Sequence, residues 1–347
     1  MARGVYLVGS VPLQNAEEVF RMVSAHVGPL LHWLPDGETG LRLHWLPWLH
    51  PIFARHPQLE ATSDTYERVH ENMPNPRYRT RAGVNVEDVR FDDLPFAAIA
   101  RDSYAQFSRL KREGVIPSRV KFQVCLAGIS SVMRRFIVEE QQGAMAQRYE
   151  QGLFAQIAHM ADSIPAHELA IQWDVASAVF HYIEAGEPTR FGRTSAEMLE
   201  YFTDLHARLG NAVPKGIDLL FHLCYGDAGH RHTIEPASTR WLVEFANRLS
   251  AKVDRGIQAI HMPVPRDRFD DAYYEPLSGL ELNGEEKLAL GLVHYSDGIE
   301  GTRRRMMAAD KYARDYMIGT ECGFGRRAPA IVPQLLDIHV AAAGLER

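Results

Sequence analysis

Short apolar runs, most of them closing on Gly, Pro, Asp or Ser, recur eight times along this chain of 347 residues. No other feature limits its possible folds as strongly. The runs are VYLVGSVP (5–12), LHWLPDGETG (31–40), VKFQVCLAG (120–128), LAIQWDVA (169–176), DLLFHLCYGD (218–227), IQAIHMPVP (257–265), LALGLVHYSD (288–297) and YMIGTECGFG (316–325). A strand that faces water on one side alternates apolar and polar residues; a run without alternation marks a strand covered on both faces, as in a parallel sheet. Helical periodicity fills the gaps. NAEEVFRMVSAHVG (15–28) opens on an Asn able to cap a helix and closes on Gly. TSAEMLEYFTDLHARLG (194–210) begins with Thr194 and Glu197 in capping-box spacing. Segments 238–253, 298–316 and 329–346 carry the same period. Alternating strands and helices, repeated this often, predict an α/β fold: a (β/α)8 TIM barrel in one domain over residues 1–347. The irregular stretch 41–119 is too long for one crossover, so we expect an insertion between strands 2 and 3 holding short helices and a hairpin-like excursion.

In such barrels the chemistry sits where strands end and loops begin. The polar residues of the runs fall there: Ser10, Asp36, Glu38, Asp174, His222, Cys224, His261, His294, Asp297 and Cys322. Burying so many ionisable groups in one layer is costly unless they are used. His222 and Cys224 are two apart, which puts both side chains on one face of a strand. With Cys322 they make a His/Cys/Cys set, enough for a zinc ion that keeps one position open. Two buried core residues would give the same H-x-C pattern. Trp173 beside Asp174 fits either a stacked planar ligand or core packing.

Composition narrows the partners. Lys and Arg number 38 against 44 Asp and Glu, a net charge of −6, so no global basic field points to nucleic acid or an anionic membrane. No apolar run is long enough to span a bilayer. The opening reads as a strand, not a leader peptide, and three cysteines do not make a disulfide framework. A reducing, cytoplasmic setting is the expectation.

FHLCYGD (221–227), followed downstream by GLVHYSDGIEGTRRRMMAADKYARDYMIGTECGFGRR (291–327), resembles the C-terminal catalytic barrel of cobalamin-independent methionine synthases. LVGSVP near the start and IQWD (171–174) extend the likeness along the chain in the family's order. The resemblance implies a zinc-dependent methyltransferase, with a small thiol as acceptor and a methylated folate or another small methylated compound as donor. It places His222, Cys224 and Cys322 as zinc ligands, and His261 where the family has a ligating Glu, there to complete the shell or to serve as an acid or base. Ser10, Glu38 and Asp174 match positions that hold the substrate. His294 and Asp297 stand near the family's catalytic histidine, although HYSDG departs from its Asp-x-His-Ser. AGISS (127–131) also replaces a Gly-Pro-Val-Thr turn of folate-using members, which leaves the donor open. Two other readings stay in view. A metal-bound water with Asp297 or Glu38 as base would give a lyase or hydrolase. A metal-free decarboxylase of a related barrel would need several arginines at the mouth to bind a porphyrin.

Overall fold

All of these apolar runs but the first form strands of one parallel sheet. The computed structural model describes residues 3–66, 75–227, 232–283 and 286–344. In chain order the strands are β1 (Trp33–Pro35), β2 (Leu59–Tyr66), β3 (Asn75–Thr80), β4 (Lys121–Ala127), β5 (Leu169–Val175), β6 (Asp218–Leu223), β7 (Ala259–Pro263), β8 (Lys287–Val293) and β9 (Met317–Thr320). Seven of them make a curled sheet in the order β1-β4-β5-β6-β7-β8-β9, every pair parallel. Eleven α-helices accompany the strands among the described residues. None is long and apolar enough to cross a membrane.

The caps read from the sequence are present. Asn15 Oδ1 accepts from the Glu18 amide at 3.0 Å and starts helix Ala16–Val27. Thr194 Oγ1 accepts from the Glu197 amide at 3.2 Å and starts Ser195–Asn211. Glu197 reaches back to the Arg193 amide at 2.7 Å, one residue earlier than the usual capping box.

The uninterrupted apolar runs arise because both faces of the sheet are buried. On the outer face Ile171, Trp173, Phe221, Ile260, Leu290 and Ile318 join the main core with the helices. The inner face holds a second, smaller cluster of Tyr6, Val8, Trp33, Ala170, Leu220, Ala259, Ala289 and Met317. Alanines on β5, β7 and β8 leave room there for Tyr6, Trp33 and Met317. Trp173 points outward and is fully buried in the main core, so it packs and does not stack a ligand.

The first run departs from the expected strand. Val5 alone bridges in parallel to Leu31 on one side and to Ile318 on the other. The Val5 amide donates to Leu30 O at 3.0 Å and the Tyr6 amide to Ile318 O at 2.9 Å. After that, side chains satisfy the backbone. Gln123 Nε2 donates to Leu7 O at 3.0 Å, Gln172 Nε2 to Val8 O at 2.6 Å and Cys125 Sγ to Val8 O at 3.3 Å. Buried carbonyls need partners, and here amide side chains replace a neighbouring strand.

Between β1 and β4 the chain forms short 3₁₀ turns, helix His50–Ala54, the antiparallel pair β2–β3 and helix Phe96–Arg112. Residues 67–74 of this expected excursion lie outside the described residues, as do the last residues of segment 329–346. Phe53 stacks on Phe136 at 4.5 Å, tying the stretch to the helix after β4.

Candidate metal centre

Strand register builds the site. Asp174 of β5 pairs with His222 of β6, which pairs with His261 of β7. Paired residues of parallel strands share a face, so these three form a row across the inner side. Below them Gln172, Leu220 and Ala259 form the next row, above the inner apolar cluster that includes Ala170. The ionisable groups therefore begin where the strands end.

Cys224 follows β6 by one residue, held by its amide donating to Val175 O at 2.9 Å. Cys322 follows β9, in a loop folded over Ser10. The Phe324 amide donates to Ser10 O at 2.7 Å, and the Gly325 amide to Ser10 Oγ at 3.3 Å. A Cβ on Gly323 or Gly325 would run into Ser10 Oγ, so this close approach needs glycine.

The two sulfurs lie 3.9 Å apart. Sulfur ligands held about 2.3 Å from a tetrahedral zinc would stand about 3.8 Å apart, so the cysteines already span one edge of such a site. One ligand atom from each of His222, Cys224 and Cys322 falls within 4.8 Å of the others. His222 Nδ1 is engaged by His261, and its buried Nε2 has no hydrogen-bond partner. Two soft sulfurs and a bare imidazole nitrogen suit zinc.

Charge is distributed to match. The Cys322 thiol hydrogen-bonds to Cys224 and, with the nearby His222, holds the Cys224 thiol well below its ordinary pKa; the Gly226 amide adds a bond at 3.3 Å. The same contact, with burial, pushes Cys322 up. Burial works against a charged His222, but the Cys224 sulfur outweighs it and raises the imidazole. Burial, reinforced by Asp174, lifts Glu38 to about 8. Burial lifts Asp174 to about 6, opposed by His222 and by the Gln172 amide donating at 2.8 Å.

Ser10, Glu38, Asp174, His222, Cys224 and Cys322 line one cleft, together with Arg42, Trp45, Asp227 and Arg326. Only about 50 Å³ of it is open to water-sized molecules. Six of the nine residues expected at the site are thus gathered there. His261 is not among the clustered ligands. It stands behind His222, with Nδ1 2.8 Å from His222 Nδ1 and Nε2 2.9 Å from Thr320 O. Both nitrogens are engaged, and the expected fourth ligand stands one ring behind the cluster.

His294 and Asp297 also fall elsewhere. Asp297 meets the fully buried Arg305 through both oxygens, at 2.6 and 2.8 Å. His294 Nε2 contacts Val264 O at 2.9 Å, and burial with the Arg305 charge drops its pKa to about 3. It lines a separate cavity with Glu321 and Arg327. The two residues expected to be catalytic thus lie outside the cleft: Asp297 is paired with Arg305, and His294 faces another cavity.

Several residues in or beside the cleft had no role assigned from the sequence. Asp36 binds Arg42 through both oxygens (3.2 and 2.7 Å), Ser103 Oγ (2.7 Å) and the Glu38 amide (2.9 Å), and so shapes the turn that carries Glu38. Trp45 Nε1 donates to Asp174 at 3.3 Å. Arg326 pairs with Asp227 at 3.4 Å. The charged ends of YGD and GFGRR were the available signal for that pair, whereas Trp45 comes from the irregular stretch and had none.

No protein-family model matches this chain, and no curated protein matches it in sequence. The solved structures that share its fold include two that match it over 99% of its length. A protein from Listeria monocytogenes assigned as a vitamin-B12-independent methionine synthase is 14% identical, with a TM-score of 0.56, over 99% of this chain and 98% of that one. A methyltransferase from Methanosarcina mazei is 10% identical, with a TM-score of 0.53, over 99% of this chain and 93% of its own.

Proposed function

We propose that this chain is a zinc-dependent methyltransferase that acts on a small thiol, built as a single-domain (β/α)8 barrel with 41–119 inserted. The His222–Cys224–Cys322 cluster, with its sulfurs one tetrahedral edge apart, carries the reading. The shared fold of the two methyltransferase-type structures supports it. Zinc, when bound by His222, Cys224 and Cys322, would lower the pKa of a thiol presented at its open position. The residues of the cleft do the rest. Glu38 and Asp174 present carboxyl groups on the cleft wall, suited to hold a substrate amine by charge-assisted hydrogen bonds. Asp36 and Arg42 fix the turn bearing Glu38; Gln172 and Trp45 fix Asp174. Ser10 anchors the loop bearing Cys322.

The hydrolytic alternative loses one of its two proposed bases, because Asp297 is committed to Arg305 outside the cleft. A porphyrin site is disfavoured too. The cleft arginines are each paired with an aspartate, and the open space is far too small for a macrocycle.

Elemental analysis of protein purified under reducing conditions should find one zinc per chain, and Cys322→Ser should lose it. X-ray absorption at the zinc edge should gain a sulfur neighbour when a small thiol is added. Protein without any transition metal overturns the reading; metal without the added sulfur returns it to a metal-bound water.

A further inference from the structure

We propose that His261 is a positioning residue: it fixes the tautomer of His222 so that a bare Nε2 faces the two cysteine sulfurs. The inference rests on the metal reading above and concerns how this chain prepares its only nitrogen ligand in that cluster. Thr320 O is a pure acceptor, 2.9 Å from His261 Nε2, so that nitrogen carries a hydrogen. A neutral imidazole has one N–H, so His261 Nδ1 is a lone pair. His222 Nδ1 lies 2.8 Å from it and must therefore be the donor. An imidazole that ligates a metal is neutral, so in a metal-bound His222 the remaining nitrogen, Nε2, is the unprotonated one. This is the buried atom left without a hydrogen-bond partner. A ligating imidazole needs this state, with its second nitrogen donating to an acceptor behind it.

The relay is mechanically supported. Tyr6 stacks on His261 at 5.5 Å with planes 17° apart, and its hydroxyl donates to Gln172 Oε1 at 2.6 Å. The rings of His222 and His261 sit 4.8 Å apart. Gly319, preceding Thr320, has no side chain, and a Cβ there would press on Tyr6 O at 2.7 Å and approach His261 Nε2 at 3.6 Å. The two ends of the relay, Thr320 and His222, each lie two residues before a cysteine of the cluster. One hydrogen-bond chain thus orients the nitrogen ligand and references it to the strand that delivers Cys322.

Zinc affinity by chelator competition tests this. His261→Leu should keep one zinc per chain but bind it about 10- to 100-fold more weakly, the usual effect of losing a residue behind a ligand. His261→Gln can accept from His222 Nδ1–H and donate to Thr320 O, and should recover most of the affinity. Long-range ¹H–¹⁵N spectra of the wild-type histidine rings need no variant: His222 should be protonated at Nδ1 and His261 at Nε2. A His261→Leu protein that binds zinc like wild type overturns the inference and leaves the metal site standing. So does a zinc-shifted His261 nitrogen, which would make it a ligand. Wild-type protein without zinc overturns both readings.

Discussion

Glu38 shows how far a single residue's surroundings decide its chemistry. Its carboxyl titrates near 8 because it is buried beside Asp174. Between its ordinary value of 4.5 and about 8 the folded chain holds a proton that the unfolded chain has released. Stability must then fall as pH rises through that window. Glu38→Gln removes the titration, so its melting temperature, compared with wild type by calorimetry, should gain steadily from pH 5.5 to pH 8.5. An unchanged difference across that range would place the Glu38 titration outside the window. Sequence alone located Glu38 at a run's end but could not supply this shift, which comes from burial in the folded cleft, reinforced by Asp174, a residue 136 positions away. The same limit explains His261. Its place in the row follows from its run, whereas the occupation of both its nitrogens depends on where the next strands put His222 and Thr320.

Elements show why strands were legible and their partners less so. Uninterrupted apolar runs identified seven strands because both sheet faces are buried. They could not show that Gln123 and Gln172 would stand in for a ladder beside the first run, since a lone buried glutamine has no local signature. Gln172 bonds Tyr6, Gln123, Val8 and Asp174. Gln172→Leu strands several of these groups at about 1–3 kcal/mol for each one left unsatisfied. Urea unfolding should show a loss of at least that size. The run HYSDG misled in the opposite way: Asp297 looks like a rim base but caps the guanidinium of Arg305, one helical stretch later. Asp297→Ala should cost about 3–5 kcal/mol, as for other buried pairs broken on one side. It should still bind one zinc per chain, whereas a catalytic role would show as lost activity in a protein of normal stability.

Across the whole molecule the centre joins distant parts of the sheet. Cys224 follows β6 and Cys322 follows β9, 98 residues later, with β7 and β8 between them. A metal held only by the folded arrangement stabilises it by mass action, about 4 kcal/mol at a free concentration a thousand times the dissociation constant. Chelation should therefore lower the melting temperature of wild type and leave Cys322→Ser unmoved; equal shifts in both would exclude a bridging metal. The pairing of Val5 with both Leu31 and Ile318 sets the frame for this, and no periodicity in the first run foretold it, because two single bridges leave no pattern. The 3.9 Å between the sulfurs also has a price. Without metal, a thiolate at Cys224 faces a thiol at Cys322 across a gap that a modest rotation would close to a bond of about 2.05 Å. Dissolved oxygen can accept the two electrons and the one proton released, leaving as hydroperoxide. A metal bound as proposed and an oxidant would therefore compete for the same sulfurs, and air-exposed preparations should lose titratable thiols and zinc capacity in parallel.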